Sequence, residues 1–279
     1  MKIDAHHHFW HPARGDYDWM PADDPILSRP YLPADLAPDL AACGIDGTVL
    51  VQAAPHLEET EYMLGLADAT DHVRAVIGWI DFEDPTARRA LDRLAGHPKF
   101  RGIRPMIQDI PDPDWMLRDD IAWAFAACAE CDLCFEALGF PEHIANFGRV
   151  AARHPDLRIV YDHGMKPAIA RHQSGINAFD DWARGITMLA RETTGMIKLS
   201  GLVTEASTSV TIDDIAPFAT HLITAFGPDR VMWGSDWPVS RLRCGYREWH
   251  AMAEALVRSV APADQGLIFG ATARAFYRI

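Results

Sequence analysis

Two histidines near the start of the chain have the spacing of a metal or substrate site. His6 and His8 lie in the segment D-A-H-H-H-F-W, two residues apart on a predicted strand. Their side chains therefore point to one side of the strand, and His7 points to the other. Converging imidazoles commonly begin a metal site. Core histidines or a tag remnant would not account for the polar residues farther along the chain, so we expect His6 and His8 to contact a metal ion or substrate.

Two further candidates stand where apolar runs turn polar. His163 ends R-I-V-Y-D-H-G, and Asp236 ends V-M-W-G-S-D, where Gly234 permits a close approach of another chain segment. A carboxylate at Asp236 could accept a proton from an attacking water and deliver it to a leaving oxygen. A hydrogen bond that holds a histidine is the alternative role. In combination with His6 and His8, the catalytic interpretation is favoured.

Eight short apolar segments with helix-like sequence between most of them must position these residues. Their starts are roughly 25 to 45 residues apart, which suits repeated strand–helix units. We predict one (β/α)8 TIM-type barrel domain over residues 1–279. A doubly wound open sheet is the alternative, but no glycine-rich dinucleotide turn follows the first segment. The segments are Ile3–His8, Thr48–Gln52, Ala75–Asp81, Gly102–Met106, Leu133–Leu138, Arg158–His163, Met196–Ser200 and Val231–Asp236.

Polar side chains gather at the C-terminal ends of these segments, which is where such barrels carry their chemistry. Seven of the eight segments end in an ionisable group, and burying such groups without partners is costly. This pattern predicts a functional site at that end of the barrel. The residues are His6 and His8, Gln52, Trp79 and Asp81, Arg104, Glu136, Asp162 and His163, Lys198, and Asp236.

Five motifs resemble those of a known family. I-D-A-H-H-H-F-W resembles the H-x-H first strand of the amidohydrolase superfamily, and R-V-M-W-G-S-D-W-P resembles its strand-eight aspartate. Between them, F-R-G-I-R-P, I-V-Y-D-H-G-M-K-P and I-K-L-S-G-L resemble the amidohydrolase-2 group of lactonases, which includes L-fuconolactonase and L-rhamnonolactonase. The motifs run in barrel order from about Ile3 to Tyr277.

The resemblance implies a barrel that hydrolyses a ring ester. It matches His6 and His8 to the H-x-H pair, His163 to the strand-six histidine and Asp236 to the general base, and these four are the implied metal ligands. Members differ in whether they hold a divalent ion, usually zinc. Arg104 stands where binuclear members have a bridging lysine, so we expect one zinc ion or metal-free operation.

A lactone carbonyl needs its oxygen polarised and a water deprotonated. Zinc, or imidazoles with Arg104 or Lys198, would stabilise the oxyanion while Asp236 moves the proton from water to the ring oxygen. With only two strand-end cations, the site suits a neutral sugar-acid lactone of five or six carbons better than a dicarboxylate. The expected substrate contacts are Trp10, Gln52, Trp79, Arg104, Glu136, Lys198 and Trp237.

Other functions on the same barrel are lactone isomerisation, decarboxylation of an aromatic acid and, least favoured, non-catalytic binding of a sugar acid. The segments Pro12–Tyr31 and Pro111–Asp120 are expected to cover the barrel mouth or to contact a neighbouring subunit, which leaves a homo-oligomer open.

Composition limits the partners and the compartment. A formal charge of −13 excludes a phosphate-backbone partner such as nucleic acid. The longest run without a charged residue, Ile215–Pro228, is too short to span a membrane. Strand-like sequence from Lys2 leaves no room for a signal peptide, and the five cysteines are an odd number, so we expect a cytoplasmic protein.

Overall fold

Eight parallel strands, hydrogen-bonded in chain order, form a barrel in the computed structural model, which describes residues 1–279. Each strand overlaps one predicted segment, which confirms the (β/α)8 barrel. The strands are β1 Ile3–His7, β2 Gly47–Val51, β3 Val73–Gly78, β4 Phe100–Ile103, β5 Cys134–Ala137, β6 Arg158–Tyr161, β7 Met196–Leu199 and β8 Val231–Trp233.

Helices cover the outside of the barrel, so the strands are buried on both faces and most of their side chains are apolar. None of the ten combines the length and apolar character that a membrane crossing requires. The helices are α1 Pro33–Cys43, α2 Leu57–Asp68, α3 Arg88–Ala95, α4 Ala122–Glu130, α5 Ile144–Arg153, α6 Ile169–Gln173, α7 Phe179–Glu192, α8 Ile212–Phe226, α9 Tyr246–Val260 and α10 Thr272–Tyr277.

The barrel is closed by β1 and the segment that follows β8. Asp236 N donates to His6 O at 2.8 Å, and His8 N donates to Trp237 O at 2.7 Å. The two segments approach so closely at Gly234 that an added Cβ would lie 2.7 Å from the Cβ of His6. This closure places the histidines at the start of the chain beside the aspartate near its end.

The C-terminal helix α10 covers the opposite end of the barrel. Ala273, Phe276 and Tyr277 pack in one cluster with interior side chains such as Ile3 and Val160. The Tyr277 hydroxyl reaches into the barrel and donates to the carboxylate of Glu136 on β5. The interior is therefore apolar at this end and becomes charged toward the mouth.

Candidate active site

The structure brings His6, His8, His163 and Asp236 together at the barrel mouth. Asp236 Oδ1 lies 3.4 Å from His8 Nε2, 3.8 Å from His6 Nε2 and 3.9 Å from His163 Nε2. All four side chains are buried. His7 points away from this group, and its Nε2 lies 2.9 Å from Thr48 Oγ1. A single carboxylate oxygen thus faces three imidazole rings.

The backbone at two of these residues is left-handed. His163 has φ 52° and Asp236 has φ 54°, a region that non-glycine residues adopt at a cost. Residues held in such conformations by the surrounding structure cluster at functional sites. His163 lies two residues past the end of β6 and Asp236 three residues past the end of β8, so both left-handed residues belong to the loops at the barrel mouth.

The charges in the site follow from burial and from its neighbours. Burial acts to raise the pKa of Asp236, but attraction to His163 and His8 outweighs it, so this pKa lies below its ordinary value of 3.8. Burial lowers the pKa of His163 to about 4. Burial and the Lys198 ammonium lower the pKa of His6 well below its usual range. At neutral pH an ionised carboxylate therefore faces neutral His6 and His163, which suits it to accept a proton.

The donor set fits one divalent metal ion. His6, His163 and Asp236 each offer one ligand atom, and these three atoms lie within 4.8 Å of one another. His8 Nδ1 donates to Val51 O at 2.8 Å, and His163 Nδ1 lies 2.9 Å from Ser200 Oγ, so each can present its Nε2 to a ligand. Imidazole nitrogens with a carboxylate oxygen are ligands that zinc accepts.

His6, Glu136 and Asp162 form a second group of potential metal ligands, and the Lys198 ammonium lies among them. Lys198 Nζ lies 2.6 Å from Glu136 Oε2, 3.1 Å from Asp162 Oδ1 and 3.0 Å from His6 Nδ1. An ammonium can only donate, so it holds His6 with its proton on Nε2. An ion on that nitrogen would require the proton on Nδ1, and the carboxylate oxygen on that side, Asp162 Oδ1, lies 3.6 Å away. The ammonium occupies the position that a second cation would need.

Arg104 and Gln52 form the next part of the floor. Arg104 Nη1 lies 3.4 Å from Asp162 Oδ2 and 3.4 Å from His6 Nε2. Gln52 Nε2 donates to Arg104 O at 2.8 Å, and its Oε1 accepts from Arg104 Nη2 at 3.2 Å. Gln52 is fully buried beneath the site, whereas the Arg104 side chain reaches the cavity wall.

A cavity of about 280 Å³ lies above these groups. Of the predicted residues, its wall contains His8, Trp10, Arg104, His163 and Asp236. The structure does not bring the other predicted substrate contacts to this wall. Glu136 and Lys198 are buried below it, and Trp237 packs edge-on against Tyr31, 5.1 Å between ring centres. Trp79 lines an adjoining cavity of about 360 Å³.

Several residues that line the cavities were not among the predicted site residues. Trp19 lines both cavities and lies in Pro12–Tyr31, the first segment expected to cover the mouth. Trp115 lies in Pro111–Asp120, the second such segment, and lines the adjoining cavity only. Lys166 follows His163 by three residues within the motif D-H-G-M-K-P, and only its place in that motif could have indicated it. The other additional wall residues are Ala53, Met106, Gln108, Asp109, Leu138, Thr204 and Val239.

Comparison with known proteins extends these observations over the whole chain. A family model described as Amidohydrolase (Amidohydro_2) matches residues 3–279. The chain is 40% identical to an L-fucono-1,5-lactonase of Burkholderia ambifaria, with 100% of this chain and 96% of the relative aligned. It is 33% identical to an L-fucono-1,5-lactonase of Burkholderia multivorans, again over 100% and 96%.

A solved structure is similar over its full length. The crystal structure of an amidohydrolase from Burkholderia multivorans with bound zinc has a TM-score of 0.93 and 32% sequence identity, covering 100% of this chain and 99% of that chain. A second crystal form with bound HEPES has a TM-score of 0.94. These matches confirm both the barrel and the resemblance that the five motifs indicated.

Proposed function

The chain belongs to the amidohydrolase family, and we propose that it hydrolyses the ring ester of a sugar-acid lactone such as L-fucono-1,5-lactone. The observation that carries this proposal is the ionised Asp236 carboxylate that faces three imidazoles at the floor of a cavity. The activity in the names of two full-length relatives supports the substrate class. Isomerisation and decarboxylation are not favoured, because both relatives are named as lactonases.

The reaction follows from the position of Asp236. Its carboxylate accepts a proton from water, and the water oxygen forms a bond to the lactone carbonyl carbon. The bond from that carbon to the ring oxygen then breaks, and the ring oxygen takes the proton from Asp236. The product is the open hydroxy acid, which releases a proton to solvent at neutral pH. In the metal-free site the His6 Nε2 proton and the Arg104 guanidinium stabilise the negative charge that develops on the carbonyl oxygen.

We propose that one divalent ion, zinc as the first candidate, is held by His6, His8, His163 and Asp236. The zinc bound in the crystal structure of the Burkholderia multivorans amidohydrolase supports this choice. When bound, such an ion would polarise the lactone carbonyl. Binding requires the His6 proton to be on Nδ1, toward Asp162, which links metal affinity to the Lys198 network.

The predicted substrate contacts divide by their position. We propose that Trp10 supplies an aromatic wall for the sugar ring, since it lines the cavity and its Nε1 is fixed by Leu27 O at 3.1 Å. Trp79 would meet only a substituent that reaches the adjoining cavity. Arg104 reaches the cavity itself. Gln52 acts through its hydrogen bonds to Arg104, and Glu136 and Lys198 act through the contact of Lys198 with His6. Trp237 positions the closing segment of the barrel.

The five free cysteines suit a reducing compartment, so we also propose a cytoplasmic role in carbohydrate metabolism. The localisation of a tagged chain, together with the growth of a deletion strain on sugars, tests this part.

The experiment for the activity is acid release from freshly made aldonolactones, followed with a pH indicator and corrected for spontaneous hydrolysis. We expect release from L-fucono-1,5-lactone. Asp236→Asn should lower turnover at least about a hundredfold, because general base catalysis contributes about 10² to 10⁴. Asp229→Asn, at an exposed position outside the cavity, is the matched control. Hydrolysis at the wild-type rate by folded Asp236→Asn would overturn the role of Asp236.

A chelator arm tests the ion. Loss of activity that zinc restores supports the proposed site, whereas an unchanged rate shows that the imidazoles and Arg104 are sufficient. If folded, zinc-supplemented protein hydrolyses no lactone, the proposed function is overturned, and isomer formation and carbon dioxide release are measured instead.

A further inference from the structure

Lys166 lines the catalytic cavity and contacts three neighbouring loops. Its Nζ donates to Gln108 Oε1 at 2.6 Å, lies 3.7 Å from Glu205 Oε1 and lies 5.2 Å from the ring centre of Phe140. These partners follow β4, β7 and β5, and Lys166 itself follows β6. The side chain is 18% exposed. The ammonium is therefore held at a defined position in the cavity wall.

The hydrogen bonds of this ammonium are incomplete. A lysine ammonium has three N–H donors, and Gln108 accepts one of them. The nearest carboxylate oxygen, on Glu205, is 3.7 Å away and beyond hydrogen-bond distance. Arg104 lines the same cavity with its side chain 4% exposed, and its Nε is buried without a partner. Lys166 thus retains N–H donors for a ligand, and the Arg104 guanidinium lies in the wall of the same cavity as a second positive charge.

The backbone that presents Lys166 is unfavourable in itself. Four consecutive residues from His163 to Lys166 have φ between 47° and 61°, and only one of them is a glycine. The turn is held by Trp182 Nε1, which donates to Gly164 O at 2.8 Å, and by the buried Met165. A left-handed turn of this kind brings His163 and Lys166 into one cavity. Strain retained at such a position points to a role in ligand binding.

We propose that Lys166 and Arg104 form a carboxylate-binding site for the group that hydrolysis creates on the sugar acid. The proposal rests on the proposed function and deepens it. A neutral lactone offers no charge to these residues. Addition of water to the carbonyl carbon and cleavage of its bond to the ring oxygen leave a carboxylate there. The site should therefore bind an aldonate more tightly than a neutral polyol of the same stereochemistry, and the product should inhibit the enzyme.

The test is isothermal titration calorimetry with L-fuconate, the anion, and L-fucitol, the neutral alcohol. Wild type is compared with Lys166→Met, which removes the charge, and Lys166→Arg, which retains it. Lys99→Met is the matched control, because Lys99 precedes β4 at the other end of the barrel. We expect Lys166→Met to weaken fuconate binding by about tenfold or more while fucitol affinity is unchanged. Lys166→Arg should restore most of the fuconate affinity.

Three results would overturn the proposal: no fuconate binding to wild type, equal fuconate affinity in wild type and Lys166→Met, or equal weakening of anion and alcohol. The last two would show that Lys166 only ties the loops together. In steady-state assays, Lys166→Met should raise the inhibition constant of fuconate more than the KM of the lactone. If no lactone is hydrolysed but fuconate binding depends on Lys166, the proposed function fails and the carboxylate site stands.

Discussion

Replacement of Gly234 by alanine tests the contact that closes the barrel beneath the catalytic group. The added Cβ would lie 2.7 Å from His6 Cβ and 3.0 Å from His6 N. Carbon atoms in contact are about 3.5 to 4.0 Å apart, so β1 and the segment after β8 must separate by about 0.8 Å or more. Such overpacking costs about 1 to 3 kcal/mol of unfolding free energy. A shift of about 1 Å in a catalytic group can lower the rate on the order of 100-fold.

The assays are urea unfolding and kcat/KM for lactone hydrolysis. Gly65→Ala is the control, because Gly65 lies in α2 and an added Cβ there has no atom within 4 Å. We expect this control to keep full activity and to gain about 0.5 to 1 kcal/mol of stability, since alanine is the better helix former. Wild-type activity and stability in Gly234→Ala would refute the argument that His6 is positioned by this close approach.

Two further predictions concern buried charges. Burial raises the pKa of Glu59 to about 8 from an ordinary 4.5, although Ala53 N and Ala54 N donate to its carboxylate. The folded state therefore binds the proton more tightly, so stability falls as pH rises from about 4.5 to about 8, by on the order of 5 kcal/mol. Glu59→Gln should flatten this fall in urea unfolding measured across that range, and an unchanged slope would contradict it. Lys198→Met should cost about 3 to 5 kcal/mol, because it removes the ammonium that pairs with the buried carboxylates of Glu136 and Asp162. A cost below about 1 kcal/mol would show that the lysine is not paired as described.

The strands were predictable because each is a short apolar run between helical segments. The predicted ends were less accurate, since the segment Ala75–Asp81 extends beyond β3 Val73–Gly78, and Val231–Asp236 extends beyond β8. The residues past the strand ends are the polar ones, and a left-handed residue such as Asp236 cannot continue a strand. The sequence thus indicated the site because its polar residues directly follow the apolar runs that form the strands.

The depth of each side chain in the barrel was not predictable. Glu136 and Lys198 stand near strand ends like Arg104, yet they pair with each other below the cavity, and only Arg104 reaches its wall. Strand periodicity gives the side of the sheet but not the height along the barrel axis. The sequence indicated the mouth segment that contains Trp19 and the motif that contains Lys166. Both lie in irregular segments whose paths depend on tertiary contacts, so their places in the cavity wall were not predictable.

The docking of α10 has a consequence for synthesis of the chain. The ribosome makes β1 first, but His6 acquires Asp236 only when β8 is complete, and Glu136 acquires Tyr277 only after α10 has emerged. The catalytic group and the inner network therefore receive their last partners, Asp236 and the Tyr277 hydroxyl, from segments made near the end of synthesis.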